Sequence, residues 1–411
     1  MCRKTTQLLA IILRGNSASP AYLLHTVAPR PYRIVAVFSA SGRKRRNDEV
    51  LMNAPQQRRK ASLVLAGGVG LGAFQAGAFE VLAARPDLEI CSVSGASIGA
   101  LNGAIIAGNA PDERVAKLQA FWKAASVEAF PARWFDPWRL TDGGTLRRAR
   151  NWSNVLTTSI LGSPALFHLR GLFGGDGEAR SIYNNRKVRR TLEAFIDFPR
   201  INDGAVRFCC AATDIEVGEA VFFDTAKGDI IGPEHLIASS SLVPAFEPIR
   251  IGNRLLADGG LAANLPLEAE IGPNRDAPAE PVCFAFDLFT PEGSRPGHLN
   301  RAVERAIDMF FGMQTRMRLA AFEREWAMRA KLASLEEPRA LDTGGASGGT
   351  DLIYASYRGA EHDAGFGKPF DLSPQTLKDR WREGAQAGER ALAVYDGLSP
   401  GKGPNLRVHR V

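Results

Sequence analysis

No apolar run in this 411-residue chain approaches the roughly 20 residues that a bilayer-crossing helix needs, so it reads as a protein not integral to a membrane. Five cysteines (Cys2, Cys91, Cys209, Cys210 and Cys283) form no Cys-x-x-Cys pair, and no Cys/His spacing suits zinc. No metal is expected, and the thiols read as small buried residues in a reducing compartment, the cytoplasm. Adjacent Cys209 and Cys210 fall in an expected strand, where their side chains point to opposite faces and a mutual disulfide is strained. There is no internal repeat.

Excess charge is also missing from most of the chain. Of 51 Lys and Arg, nine lie within residues 1–51 beside only two acids, Asp48 and Glu49, and the remaining positions hold 42 of each sign. The formal +7 therefore belongs to an N-terminal arm, and a nucleic-acid role for the folded body gains no support. The arm's apolar stretch, residues 8–13, is too short for a secretory leader. Residues 1–60 are read as lying outside the fold. Three readings stay open for them: a disordered basic arm for anionic lipid, a targeting segment, or a stretch upstream of a start at Met52.

What is present is concentrated in three segments. Residues 62–66 read as a buried strand that runs into Gly67-Gly68-Val69-Gly70-Leu71-Gly72-Ala73, with a helix beginning near Phe74. Such a loop exposes consecutive backbone N–H groups where the helix dipole also favours negative charge, and so suits a phosphate or an oxyanion. Gly68 to Ala73 satisfies the dinucleotide fingerprint G-x-G-x-x-A, but the second strand lacks the acidic residue that holds a ribose, since Glu89 lies at its wrong end. No Gly-Lys-Ser or Gly-Lys-Thr follows, which excludes a P-loop. The second segment is Gly95-Ala96-Ser97-Ile98-Gly99, between the apolar run Ile90 to Val93 and a helix of small residues ending at Gly108-Asn109. A serine at a sharp strand-to-helix turn leaves room for almost no flanking side chain, hence Gly95 and Gly99.

The third segment concerns the base. None of the six histidines (His25, His168, His235, His298, His362, His409) sits at a convincing strand end, although His235 and His362 stay open. By contrast, residues 254–257 form a short strand that delivers Asp258 into Gly259-Gly260, and an Asp that merely caps a turn is the plain alternative.

Taken together, these segments resemble the patatin-like phospholipase family: a Gly-rich loop, G-x-S-x-G and a later D-G-G, in that order. Similar stretches run over residues 66–82, 210–224 and 237–266; the resemblance is close over 61–270 and looser to about 397. It implies an α/β, three-layer fold, a mostly parallel central sheet with helices on both faces, and no cofactor. It implies Ser97 as nucleophile, Asp258 as base without a histidine, and an oxyanion hole on the amides of Gly67, Gly68, Val69, Gly70 and Gly72. The implied activity is hydrolysis of lipid acyl esters through an acyl-serine. The alternative is an inactive scaffold that binds lipid or acyl ligands. Peripheral membrane contact and oligomeric state are left open. Two departures stand out: Val69 where the family's commonest loop has a third glycine, and Leu71 where it often has a basic residue.

Strand-like runs at 62–66, 90–95, 206–212, 219–223, 254–257, 282–288 and 351–357 alternate with helical stretches, which independently argues for a parallel-rich sheet. The expected hydrolase domain is 61–397, with a C-terminal extension at 281–397 and a tail at 398–411. Within it, residues 121–177 crowd Phe121, Trp122, Phe130, Trp134, Phe135 and Trp138 among prolines and glycines, and read either as core or as a cap with aromatics at a lipid-facing rim. Residues 299–334, with Met309, Phe310, Met313 and Met317, read as a helix packed on the sheet in preference to a membrane-surface helix. Residues 373–395 read as a closing helix, with Ser373 as N-cap and Pro374 in its first turn.

Overall fold

Strand β1 (Arg59–Leu65) is exposed for its first two residues and buried for the next five, the pattern of a strand covered on both faces. It lies at the centre of a nine-stranded sheet with β2 (Leu88–Ala96), β5 (Arg207–Asp214), β6 (Glu219–Asp224), β7 (Ile249–Ile251), β8 (Arg254–Asp258), β9 (Val282–Asp287), β10 (Thr350–Ser356) and β11 (Leu406–Arg410). Two short strands, β3 (His168–Leu169) and β4 (Tyr183–Asn184), form a separate antiparallel pair. This computed structural model describes residues 58–127, 151–169 except 152, 160, 161 and 164, 181–272 except 186, 280–335, 349–359, 365–399 and 405–411. The basic arm up to residue 57, His25, His362, and Phe130, Trp134, Phe135 and Trp138 lie outside the described residues.

Six strands run parallel in the order β11-β10-β9-β1-β2-β5; β6 and β8 pair antiparallel with β5, and β7 pairs antiparallel with β8. The chain leaves β1 toward β2 and β5 on one side and fills the other side with β9, β10 and β11. The loop after β1 therefore opens at the switch point, where the carboxyl ends of an open α/β sheet form a crevice.

One edge of β5 has particular weight. Its residues up to Ala211 pair with β2, ending at Ala96↔Ala211, and the next residues pair with β8, beginning at Ala212↔Asp258. Strand β6 occupies the opposite edge over the same span. So β8 enters end-on to β2 along a shared neighbour, and the residues at their tips, Ser97 and Asp258, meet.

Helices cover both faces. On β2, Val93 lies against Gly103 of α2 (Ile98–Ala107), while Ser92 and Ser94 on the other face donate to Glu270, at 2.8 and 2.6 Å. The α2 side also carries α1 (Ala73–Ala83) and α3 (Arg114–Ala125). Phe121 and Trp122, left between core and cap by the sequence, belong to α3 and are buried in the core, where Phe121 packs edge-on against Phe195. The C-terminal stretch read as a tail contains β11, which extends the sheet: Arg407 and His409 both reach Asp351 of β10, and the alternation Leu406, Val408 was too short to stand out.

Helix α1 crosses a helix at residues Pro374–Asp396 through glycines. A side chain on Gly77 would collide with the Trp381 carbonyl, and one on Gly384 with the Phe74 carbonyl. Alanine at Gly384 gains about 1 kcal/mol of helix propensity but overpacks a backbone contact, which costs about 1–3 kcal/mol or more. The clash wins. Gly384→Ala is expected to lower stability by about 1–2 kcal/mol in urea denaturation. Gly397→Ala, where no atom comes closer than 3.5 Å, should be near neutral.

Candidate active site

Strand β2 ends at Ala96 and α2 starts at Ile98, so Ser97 alone makes the turn, with φ 52° and ψ −125°. A left-handed non-glycine residue costs about 1–3 kcal/mol and persists only where its surroundings over-determine it. Here they do. A side chain on Gly95 would strike the backbone of Gly99, and one on Gly99 would strike the carbonyls of Leu65 and Ala66. The Ser97 N–H donates to Ser239 Oγ at 3.0 Å, and that hydroxyl donates in turn to Ala211 O at 2.6 Å. Ser239 is fully buried, so the clamp is shielded from water.

Asp258, at the end of β8, is only 4 % exposed. Its N–H donates to Ser241 O and the next, from Gly259, to Ser239 O, so the segment holding Ser97 also holds the Asp258 loop. A side chain on Gly259 would strike Ala211 O, which explains the first glycine after the aspartate. Asp258 Oδ1 accepts the Gly260 N–H at 2.7 Å, and the Ser97 hydroxyl lies beside the carboxylate. Burial pushes its pKa up to about 6, against the smaller opposing pull of the Ser97 hydroxyl and the Gly260 N–H.

The loop after β1 becomes a single turn of 3₁₀ helix at Val69–Gly72, and the first amides of such a turn have no partner within it. The N–H groups of Gly68, Val69 and Gly70 donate to no acceptor among the described residues. Gly67 differs: its N–H donates to Asn264 O at 3.0 Å, so of the amides in this loop it is already committed. Gly72 serves packing, since a side chain there would meet Ile98 at 2.6 Å and Trp122 at 3.0 Å. Val69 has φ 49°; among the described residues it and Ser97 alone combine a side chain with a positive φ. Its place in the loop thus demands the conformation that glycine adopts freely.

Several residues with no assigned role in the sequence reading hold this loop. Gln75 Nε2 donates to Ala66 O at 2.9 Å and Phe286 O at 3.1 Å; Asn102 Nδ2 donates to Gly72 O and to Gln75 Oε1; Trp122 Nε1 donates to Asn102 Oδ1. Asn264 faces Gly67 from the Asp258 side, its backbone carbonyl taking the Gly67 amide and its Nδ2 donating to Gly67 O at 3.4 Å. The available signal was a polar residue at a core position: Gln75 within AFQAGAF and Asn102 within IGALNGAII.

A cavity of about 60 Å³ opens above Ser97 and Asp258, lined largely by apolar side chains including Leu101, Leu166, Phe167, Val188, Leu242 and Phe246. None of the described histidines lines it. His235 instead accepts the Gly232 N–H at 3.0 Å and packs on Phe223.

The raised pKa of Asp258 links to stability with a definite sign. The folded state binds the proton more tightly than the unfolded chain, so this contribution is fully present below the ordinary value of 3.8 and is lost as pH rises through about 6. Asp258→Asn, which keeps the acceptor for Gly260, is therefore expected to be more stable than the parent near pH 7.5, by about 1–3 kcal/mol. The gain should vanish near pH 4, as measured by chemical denaturation at both pH values.

Comparison with known proteins adds the lineage. A search of curated proteins finds no match. Among solved structures, VipD from Legionella pneumophila aligns over 82 % of this chain and 67 % of its own at 13 % identity and a TM-score of 0.37, too low to bear on fold or chemistry. The family model described as Patatin-like phospholipase matches residues 63–271, just over half of the chain, from within β1 to beyond Asp258. The chain belongs to the patatin-like phospholipase family.

Proposed function

We propose that this protein is a lipid acyl hydrolase working through a Ser97–Asp258 dyad. The observation that carries the reading is a serine locked in a strained turn, its hydroxyl beside a desolvated carboxylate, next to unpartnered amides and beneath an apolar cavity. Ser97 Oγ attacks the ester carbonyl while Asp258 accepts its proton. The oxyanion is held by the N–H groups of Gly68, Val69 and Gly70. As the intermediate collapses, the alcohol departs with the proton from Asp258 and leaves an acyl-serine. Water then attacks the acyl carbonyl and gives its proton to Asp258, and Ser97 regains that proton as the acid is released.

A carboxylate with an ordinary pKa is a poor base near neutrality. One pushed up to about 6 is still mostly ionised at pH 7 and accepts a proton at lower cost. The apolar cavity suits an acyl chain.

A fluorophosphonate is expected to label Ser97 stoichiometrically, as read by intact mass and peptide mapping. Ser97→Ala and Asp258→Asn should each reduce hydrolysis of p-nitrophenyl butyrate by about a thousandfold or more. The parent's kcat/KM should rise with pH through about 6 and then level. Absence of both label and hydrolysis in a well-folded preparation would sink this reading in favour of a lipid-binding scaffold.

A further inference from the structure

The helix at Leu299–Leu335 spans about 55 Å and buries one face, where Asp308, Thr315, Leu319 and Trp326 meet the domain. The opposite face is unlike the surface of an ordinary packed helix. Phe310 is 56 % exposed, Met317 65 % and Leu332 61 %. At about 100° per residue, every exposed large apolar side chain on this helix except Met309 falls within one arc of about 100°, from Leu299 to Leu335. The stripe exposes on the order of 500 Å² of apolar surface along the helix, comparable with the largest patch a monomer leaves open. The expectation of a helix packed on the sheet thus holds for one face only; Met309, Phe310, Met313 and Met317 point away from it.

Charge on the stripe selects its occupant. The charged residues within the arc are Arg324 and Lys331, both exposed, and no acid falls there. The acids Glu304 and Asp308 lie on the buried side, paired with Lys368 at 3.5 and 2.8 Å. A second copy seated on the stripe would set cations against apolar side chains or against each other. An anionic bilayer accepts both features at once, headgroups for the cations and acyl chains for Phe, Met and Leu. The helix is also tied to the proposed catalytic loop. Gln314 Nε2 donates to Gly260 O at 3.1 Å, Arg318 bonds to Ala262 O, and Phe311 stacks on Phe289 at 4.8 Å.

We propose that the exposed stripe of the 299–335 helix is a docking surface for anionic lipid bilayers, which brings the acyl-hydrolase site to its substrate. This rests on the reading of Ser97 and Asp258 as a lipid hydrolase, and the test separates the two. Full-length protein carrying Ser97→Ala is mixed with vesicles of phosphatidylcholine alone or with phosphatidylglycerol, and bound protein is measured by co-sedimentation. A triple variant Phe310→Ser, Met313→Ser, Met317→Ser is expected to lose binding by about tenfold or more, and Arg324→Ser with Lys331→Ser to lose the preference for phosphatidylglycerol. Neither change, placed in the Ser97 protein, should alter p-nitrophenyl butyrate hydrolysis or thermal melting. Unchanged vesicle binding in the triple variant overturns the docking surface, even if the soluble ester is hydrolysed. So does a parent dimer that the triple variant dissociates while its vesicle binding persists, for then the stripe belongs to a second copy. Loss of ester hydrolysis in the parent strikes the dyad and leaves the vesicle result standing.

Discussion

Everything at the site depends on how the edge of β5 is shared. A strand edge offers one row of hydrogen-bonding groups, and here β2 takes the row up to Ala211 while β8 takes it from Ala212. Two strands of opposite direction therefore end tip to tip, and their last residues need no long side chain to meet. Serine and aspartate suffice. In the proposed mechanism a base presented in this way needs neither a histidine to bridge the gap nor a loop to carry it. The same arrangement buries Asp258 and raises its pKa, because the tip of an internal strand is among the driest places a carboxylate can occupy.

Such geometry is costly to hold. Ser97 and Val69 both sit at positive φ, at about 1–3 kcal/mol each, and Asp258 is desolvated. Buried polar groups without sequence proximity offset this. Ser239 joins the backbone of Ser97 to β5 and to the Asp258 loop, and Gln75, Asn102 and Trp122 tie the glycine loop to β9 and α2. Each hydrogen bond is worth about 1 kcal/mol net, but leaving a partner unmatched costs up to about 3, so the network acts as a lock whose members fail together.

What the sequence disclosed was local. The strand–glycine–helix junctions at Gly67 and Ser97 and the strand ending at Asp258 were legible because a turn that tight admits few residue types. Five of the seven strand-like runs, those of β1, β2, β5, β9 and β10, were legible because buried parallel strands read as apolar blocks. Less legible were features that depend on distant partners. The strand Leu406–Arg410 looks like tail until Asp351 supplies a partner for Arg407 and His409. Gly67 looks like its neighbours in the loop, yet its amide is taken by Asn264, nearly two hundred residues away. Phe121 and Trp122 share their composition with a cap but their packing with the core, and only the helix register of α3 separates the two.

The family match ends at residue 271, yet the glycine loop is not complete there. A side chain on Gly70 would meet Leu372 and the Pro369 carbonyl at 2.8 Å, so the turn is pressed from behind by residues a hundred positions beyond the match. Arg380, almost fully buried, donates to the carbonyls of Asp371 and Lys368 and keeps that support in place. Lys368 in turn pairs with Asp308 and Glu304 of the 299–335 helix, and the same segment leads into the helix that crosses α1 at Gly77 and Gly384. The C-terminal extension therefore shapes the loop from which the proposed oxyanion donors point. It also carries the exposed stripe. The proposed bilayer docking and the geometry of the site thus converge on one stretch of chain beyond the family match.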